Sequence, residues 1–205
     1  MYSTIARDGS AQVEFKHSRF ICQLRRVEDE SAARAVIEAA RKEHWDARHH
    51  CSAFVLGPSA GVQRSNDDGE PAGTAGAPML DVLTRRGVSD VVAVVIRYFG
   101  GVLLGAGGLV RAYSGSVSDA LDEVGLQRRE LRQLVEVSAS HVEAGRLEND
   151  LRAHAAMVNV AYGESVTFTV AIPAGDIDAF GHQVAAMTAG AAAIRPTELQ
   201  WADVS

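Results

Sequence analysis

Several features that would define a function class are missing from this sequence. No apolar run approaches the ~20 residues that a membrane helix needs, and the first ten residues lack the basic and then apolar segments of a secretory signal. The two cysteines, Cys22 and Cys51, show no metal-type spacing. The histidines are scattered without metal spacing too, so we expect no metal and no other cofactor. These absences predict a cytoplasmic protein with reduced thiols and no membrane span.

Excess positive charge is also missing. The 205 residues carry a net charge of −6. Residues 1–127 contain 14 Lys and Arg against 16 Asp and Glu, and the remaining residues contain 6 against 10. A chain with this charge does not bind nucleic acid with its whole surface, so any such contact must come from a local cluster in the first part.

What is present is the composition of a globular protein, with 47% hydrophobic and 22% charged residues. Alternating apolar residues predict strands, and apolar residues at helical spacing predict helices. The continuous run from Val91 to Ile96 predicts a strand that is buried on both faces. The elements predicted for the first part are a strand over 19–25, a helix to about residue 44, strands over 51–56 and 61–65, a short helix with Pro78 in its first turn, a strand over 91–96, and a helix from about 109 to a stop at Gly125.

The second part has a clearer order of elements. Strands are predicted over 131–138, 157–162, 166–172 and 192–200, and helices over 142–151 and 177–187. The resulting order, βαββαβ, is that of a ferredoxin-like domain with both helices on one face of the sheet. The fold class is therefore α+β, with domains at residues 1–127 and 131–205 and the basic pair Arg128-Arg129 as the link between them.

An acidic, glycine-rich segment spans residues 66–76. It places the carboxylates Asp67, Asp68 and Glu70 beside three glycines. Paired carboxylates suit Mg²⁺ binding or acid/base chemistry, although the spacing excludes an EF-hand. The alternative interpretation is a surface loop in which Asp and Gly satisfy the geometry of turns.

A glycine-rich link over residues 97–114 is the most informative segment. A strand that passes through glycines into a helix N-terminus presents backbone N–H groups to an anion, and Arg97 and Arg111 flank the link. The segment matches neither the P-loop nor the dinucleotide fingerprint. The alternative is that the glycines permit close packing between helix and sheet. The candidate glycines are Gly100, Gly101, Gly105, Gly107 and Gly108.

Two neighbouring histidines precede Cys51. Because side chains alternate along a strand, His49 and Cys51 share a face and His50 points to the other one. A Cys–His nucleophile is one interpretation of this pair, and a small buried residue at position 51 is the other. We assign no catalytic residue and keep His49 as a candidate binding residue.

These segments resemble the YigZ/IMPACT family over nearly the whole chain. The resemblance is carried by residues 14–20 (EFKHSRF), 47–51 (ARHHC), 66–76 (NDDGEPAGTAG) and 97–114. The chain departs from the usual family pattern at Asn66, where Ser is usual, at His50, where Asn is usual, and at Leu103, where Lys is usual. The missing lysine removes one positive charge from the candidate anion site.

The resemblance implies a first domain like domain 2 of ribosomal protein S5 and a second, ferredoxin-like domain like those of elongation factor G. Eukaryotic relatives, which share the first domain only, regulate translation by competing for the activator of a kinase. We therefore expect a binding protein whose partner is RNA or a ribosome-associated protein. One alternative is an enzyme acting on a phosphorylated or nucleotide-like small molecule, with carboxylates supplying metal or acid/base chemistry. Another is a protein–protein module that uses a sheet edge.

The sequence also predicts that the acidic segment and the glycine-rich link lie together. Both concentrate glycines and charge, and the link joins the end of a buried strand to a helix N-terminus. We expect the two segments to border one depression and to share at least one ion pair between an Asp or Glu and an Arg.

Overall fold

The computed structural model describes residues 1–204. They form two compact units, Met1–Arg128 and Arg129–Val204. The strands are β1 (Tyr2–Ile5), β2 (Gly9–Phe15), β3 (Ser18–Arg26), β4 (His49–Leu56), β5 (Val62–Asn66), β6 (Val91–Tyr98), β7 (Leu126–Ala139), β8 (Ala156–Tyr162), β9 (Val166–Pro173) and β10 (Ala193–Val204). The helices are α1 (Glu30–Glu43), α2 (Gly76–Arg85), α3 (Ala106–Val124), α4 (His141–His154) and α5 (Ile177–Thr188).

The first unit is built on a sheet covered by helices on both faces. Its strand order is β2-β3-β6-β4-β5, and each adjacent pair is antiparallel. Even-numbered residues of β6, such as Val94, pack with α1, whereas odd-numbered ones, such as Val95, pack with α2 and α3. The expected burial of β6 on both faces is confirmed.

Strand pairing around β6 brings three side chains into a row. Arg97 on β6 lies opposite Phe20 on β3 and opposite His49 on β4. Directly opposed residues in an antiparallel sheet point to the same face, so all three side chains lie on the side of α2 and α3. The next row on this face contains Cys22 and Cys51, which flank Val95.

The second unit has the βαββαβ order predicted from the sequence. Its sheet runs β10-β7-β9-β8, and α4 and α5 pack in one core with the same sheet face. Phe168, Val170 and Leu151 are fully buried in that core. Phe168 and Val170 belong to the alternating residues of β9 that turn one face of the sheet toward α4 and α5.

Two features differ from the sequence-based expectation. Strands β1 and β2 were not anticipated, although apolar and polar residues alternate in β2 from Ala11 to Phe15. Arg128 and Arg129 were interpreted as a link, but β7 is a continuous strand over residues 126–139. Ladder hydrogen bonds, rather than composition, determine the local structure there.

None of the helices within residues 1–204 has both the length and the apolar character that crossing a bilayer needs.

Gly100 provides a test of packing between the glycine-rich link and the β2–β3 turn. A Cβ at this position would lie 1.9 Å from the His17 carbonyl oxygen and 2.5 Å from the Ser18 nitrogen. We expect Gly100→Ala to lower the free energy of unfolding by about 1–3 kcal/mol, because backbone atoms must move. Urea denaturation measures this change.

The matched control is Gly115→Ala in α3, where no atom lies within 4 Å of the added Cβ. Alanine is the better helix former, so this variant should keep or raise the stability by up to about 1 kcal/mol. Equal stability of Gly100→Ala and the wild type would show that the link does not approach the turn so closely.

Candidate functional site

The acidic segment is organised around the carboxylate of Asp67. Its Oδ2 accepts a hydrogen bond from the Gly73 amide at 2.8 Å, and its Oδ1 accepts from the amides of Ala75 and Gly76 at 3.0 and 2.8 Å. Burial alone would raise the pKa of Asp67, but these three N–H donors outweigh it and the pKa is lowered. The carboxylate therefore acts as a fixed structural acceptor that closes the loop onto the start of α2.

Asp68 joins the same loop to its surroundings. Its Oδ1 accepts from Arg41 at 2.7 Å and its Oδ2 accepts from the His50 amide at 2.7 Å. Its backbone has φ of 44°, a left-handed conformation that Asp tolerates better than most residues. The Asp68 side chain thus binds α1 through Arg41 and β4 through the His50 amide.

The third carboxylate, Glu70, is buried and bridges three segments. Its Oε1 accepts from Arg97 Nη1 at 2.7 Å and from the Tyr113 hydroxyl at 2.8 Å. Glu70 and Arg97 are only 8% and 6% exposed. The loop, the end of β6 and α3 are therefore held together by one buried ion pair, which is the pair expected from the sequence between the two motifs.

A pocket of about 440 Å³ opens where these segments meet. Arg97 and Glu70 form its polar wall together with Arg48 and His49. Arg97 Nε is buried and has no hydrogen-bond partner within residues 1–204. The remaining lining residues are Pro71, Phe99, Leu103, Leu104, Gly105, Ala106 and Leu109.

The N-terminus of α3 contributes backbone donors to this pocket. Its cap is Gly105, with φ of 69° and no side-chain hydrogen bond to the helix. The amides of Gly108 and Leu109 donate to the Gly105 carbonyl. The amides of Ala106 and Gly107, by contrast, have no acceptor within their own helix. The helix dipole adds positive potential at the same place.

His49 and Cys51 are both bound to the acidic loop rather than to each other. His49 Nδ1 donates to the Asp68 carbonyl oxygen at 2.8 Å, and Cys51 Sγ donates to the Asp67 carbonyl oxygen at 3.0 Å. The pKa of the Cys51 thiol is raised to about 12, chiefly by burial; the Tyr113 hydroxyl acts to lower it, and the nearby carboxylates act to raise it. The thiol is therefore protonated at neutral pH, which does not suit a nucleophile.

The structure brings only some of the candidate residues to the pocket. His49, Glu70, Arg97 and Gly105 line it. Asp67 and Asp68 shape the loop beside the pocket. Gly100 packs closely against His17, and Gly108 packs closely against Leu104. Gly101 has φ of 84°, and Gly107 lies in the first turn of α3. Arg111 is exposed in the second turn of α3 and does not line the pocket.

Several lining residues had not been singled out as site residues. Arg48 adjoins His49, and Phe99 and Leu103 lie within the glycine-rich link. Their presence in one pocket depends on the pairing of β4 with β6, because this pairing places His49 beside Arg97 and so brings the two segments together. Tyr113 was predicted as part of the apolar stripe of α3, but its hydroxyl also binds Glu70.

Within residues 1–204, no group of three or more His, Cys, Asp or Glu side chains is arranged to hold a metal ion. The three carboxylates of the acidic loop already accept hydrogen bonds from other groups.

Comparison with known proteins agrees with this architecture. The Impact N-terminal domain model matches residues 16–121, and a second model, a domain of unknown function (DUF1949), matches residues 137–191. The chain belongs to the IMPACT family. It is 42% identical to IMPACT family member YvyE of Bacillus subtilis (strain 168) over 98% of this chain and 93% of that protein. It is 41% identical to IMPACT family member YigZ of Escherichia coli (strain K12) over 86% of this chain and 88% of that protein.

A solved structure described as that of a hypothetical protein is also similar. It shares 38% sequence identity and a TM-score of 0.64, with 96% of this chain and 97% of that chain covered. The likeness therefore extends across both units.

The lowered pKa of Asp67 predicts a pH-dependent contribution to stability. Because the folded-state pKa lies below the unfolded value, the contribution is complete above the unfolded pKa and is lost as the pH falls through the folded one. In Asp67→Asn the amide NH₂ faces the Gly73 donor. We expect this variant to have a free energy of unfolding lower than that of the wild type by on the order of 1–3 kcal/mol at pH 7. This deficit should shrink below about pH 4. Urea denaturation from pH 7 to pH 2 measures both.

Asp81→Asn is the control, because Asp81 forms only an exposed i,i+4 pair with Arg85. Its effect at pH 7 should stay within about 0.5 kcal/mol. An Asp67→Asn deficit that does not change with pH would contradict the assignment of the effect to the charged carboxylate.

Proposed function

We propose that this IMPACT family member is a non-catalytic binding protein that acts on the translation apparatus. Its first unit takes an anionic group of structured RNA, or of a ribosome-associated partner, into the pocket beside Arg97. The observation that carries the proposal is that Arg97, whose buried Nε has no hydrogen-bond partner within residues 1–204, is one of the residues lining a pocket at the N-terminus of α3.

The anionic nature of the ligand follows from the donors that converge on the pocket. A buried guanidinium N–H without an acceptor is costly, and an entering oxyanion supplies that acceptor. The Ala106 amide is a further donor, and phosphate binding at helix N-termini uses such groups. Arg48 and Arg97 outnumber Glu70 among the charged lining residues. The local charge thus favours an anion although the whole chain is acidic.

Binding is favoured over catalysis because the reactive groups are already engaged. Each carboxylate of the acidic loop accepts at least two hydrogen bonds from protein groups. Cys51 is held as a thiol. The alternative, an enzyme acting on a phosphorylated small molecule, would have to break these contacts to obtain an acid, a base or a metal ligand.

The translation apparatus is proposed as the partner because both units resemble domains of translation proteins, which is an argument by analogy. The net charge of −6 constrains the mode of binding. A protein that neutralises many phosphates shows a steep salt dependence, whereas one phosphate on a single strand gives a slope of only about −0.7 in log K against log salt. We therefore expect recognition through one pocket and a shallow salt slope.

The test measures binding to purified ribosomal subunits and to ribosomal RNA, by sedimentation and filter binding, at several salt concentrations. Arg97→Lys keeps the charge beside Glu70 but removes the Nε donor. A charge-assisted hydrogen bond contributes about 1.5–3 kcal/mol, so affinity should fall about tenfold or more. A melting curve of each variant establishes that it is folded.

Arg111→Gln is the matched control, since Arg111 lies on the same helix but outside the pocket. It should change affinity less than twofold. A second variant, Glu70→Gln with Arg97→Gln, removes both buried charges together and leaves neither unpaired; it should bind no better than Arg97→Lys. Binding that depends on Arg111 and not on Arg97 would contradict the proposal, and binding of small phosphates alone would favour the enzyme alternative.

A further inference from the structure

The pocket has an apolar side opposite its donors. Phe99, Leu103 and Leu104 come from the glycine-rich link, and Pro71 comes from the acidic loop. Leu103 is 85% exposed, and Phe99 is also exposed. A large apolar side chain held at the rim of a pocket offers contact area to the body of a ligand, beyond the anion itself.

The pocket lining includes planar side chains, the guanidinium of Arg97 and the aromatic ring of Phe99. The Arg97 guanidinium lies 5.5 Å from the Phe99 ring centroid and 5.5 Å from that of Phe20. Guanidinium planes and aromatic rings are the surfaces on which proteins stack unpaired bases. Phe99 combines this chemistry with exposure at the pocket mouth.

We infer that the pocket binds a single unpaired nucleotide, with its phosphate on Arg97 and the Ala106 amide and its base against Phe99 and Leu103. This inference rests on the proposed function and names the class of ligand that the same site accepts. The cavity of about 440 Å³ lies within the range of about 300–1,000 Å³ that is typical of small-molecule sites.

Burial of Arg97 favours an unpaired nucleotide over a duplex. At 6% exposure, Arg97 is reached only by a group that enters the pocket. The phosphates of a duplex lie along its surface, and its bases are stacked inside. A free nucleotide, or the phosphorylated end of a single strand, brings both the phosphate and an exposed base face.

The experiment is calorimetric titration of the full chain with adenosine monophosphate, ribose 5-phosphate and adenosine. Adenosine monophosphate should bind at least about fivefold more tightly than ribose 5-phosphate, the lower end of what base stacking contributes, and adenosine should bind more weakly than either. In Leu103→Ser the advantage of the monophosphate over ribose 5-phosphate should shrink but not vanish, because Phe99 still contacts the base, and the affinity for ribose 5-phosphate should not change. Val102→Ser, on the same link but outside the lining, should behave as the wild type.

Competition distinguishes the two sources of such a nucleotide. Displacement of adenosine monophosphate by a 5′-phosphorylated oligoadenylate, but not by its 5′-hydroxyl form, supports a strand end. Displacement by mononucleotides alone supports a free nucleotide as the ligand of the pocket and counts against the translation apparatus as the partner. Equal displacement by a blunt duplex would overturn the inference. Equal affinities for adenosine monophosphate and ribose 5-phosphate would also overturn it and leave the anion site standing. If neither phosphate binds, the anion site fails with it.

Discussion

The buried ion pair between Glu70 and Arg97 is the interaction on which the site depends. It joins the acidic loop to the end of β6, and the Tyr113 hydroxyl brings in α3 through the same oxygen. Removing one partner of a buried pair leaves an uncompensated charge, which typically costs about 3–5 kcal/mol. The pair thus constrains the structure, and it engages Nη1 of Arg97 while Nε is left without a hydrogen-bond partner within residues 1–204.

The acidic loop and the glycine-rich link therefore have different roles. The loop is a scaffold, because Asp67 and Asp68 satisfy backbone and side-chain donors around them. The link supplies the open donors at the start of α3 and the exposed apolar rim. The acidic loop preorganises the pocket, and the glycine-rich link supplies the groups that can contact a ligand.

The elements and the family could be predicted from the sequence because they depend on local patterns. Alternation defined β9, and the unbroken apolar run defined β6. The proximity of the two motifs followed from the position of the link at the end of a buried strand. Strand pairing was beyond such patterns: β6 lies between β3 and β4, so Arg97 meets Phe20 and His49. Arg111 was grouped with Arg97 because both flank the link, yet its position on the helix places it outside the pocket.

The most direct test of the central account is nuclear magnetic resonance of the ¹⁵N-labelled full chain during titration with inorganic phosphate. The Arg97 Nε–H signal and the amide of Ala106 should shift together and saturate with one dissociation constant, because one oxyanion contacts both. The amides of Asp68 and Gly73, whose hydrogen bonds the ligand leaves intact, should move little. Saturating shifts elsewhere, with the Arg97 signal unchanged, would contradict the account.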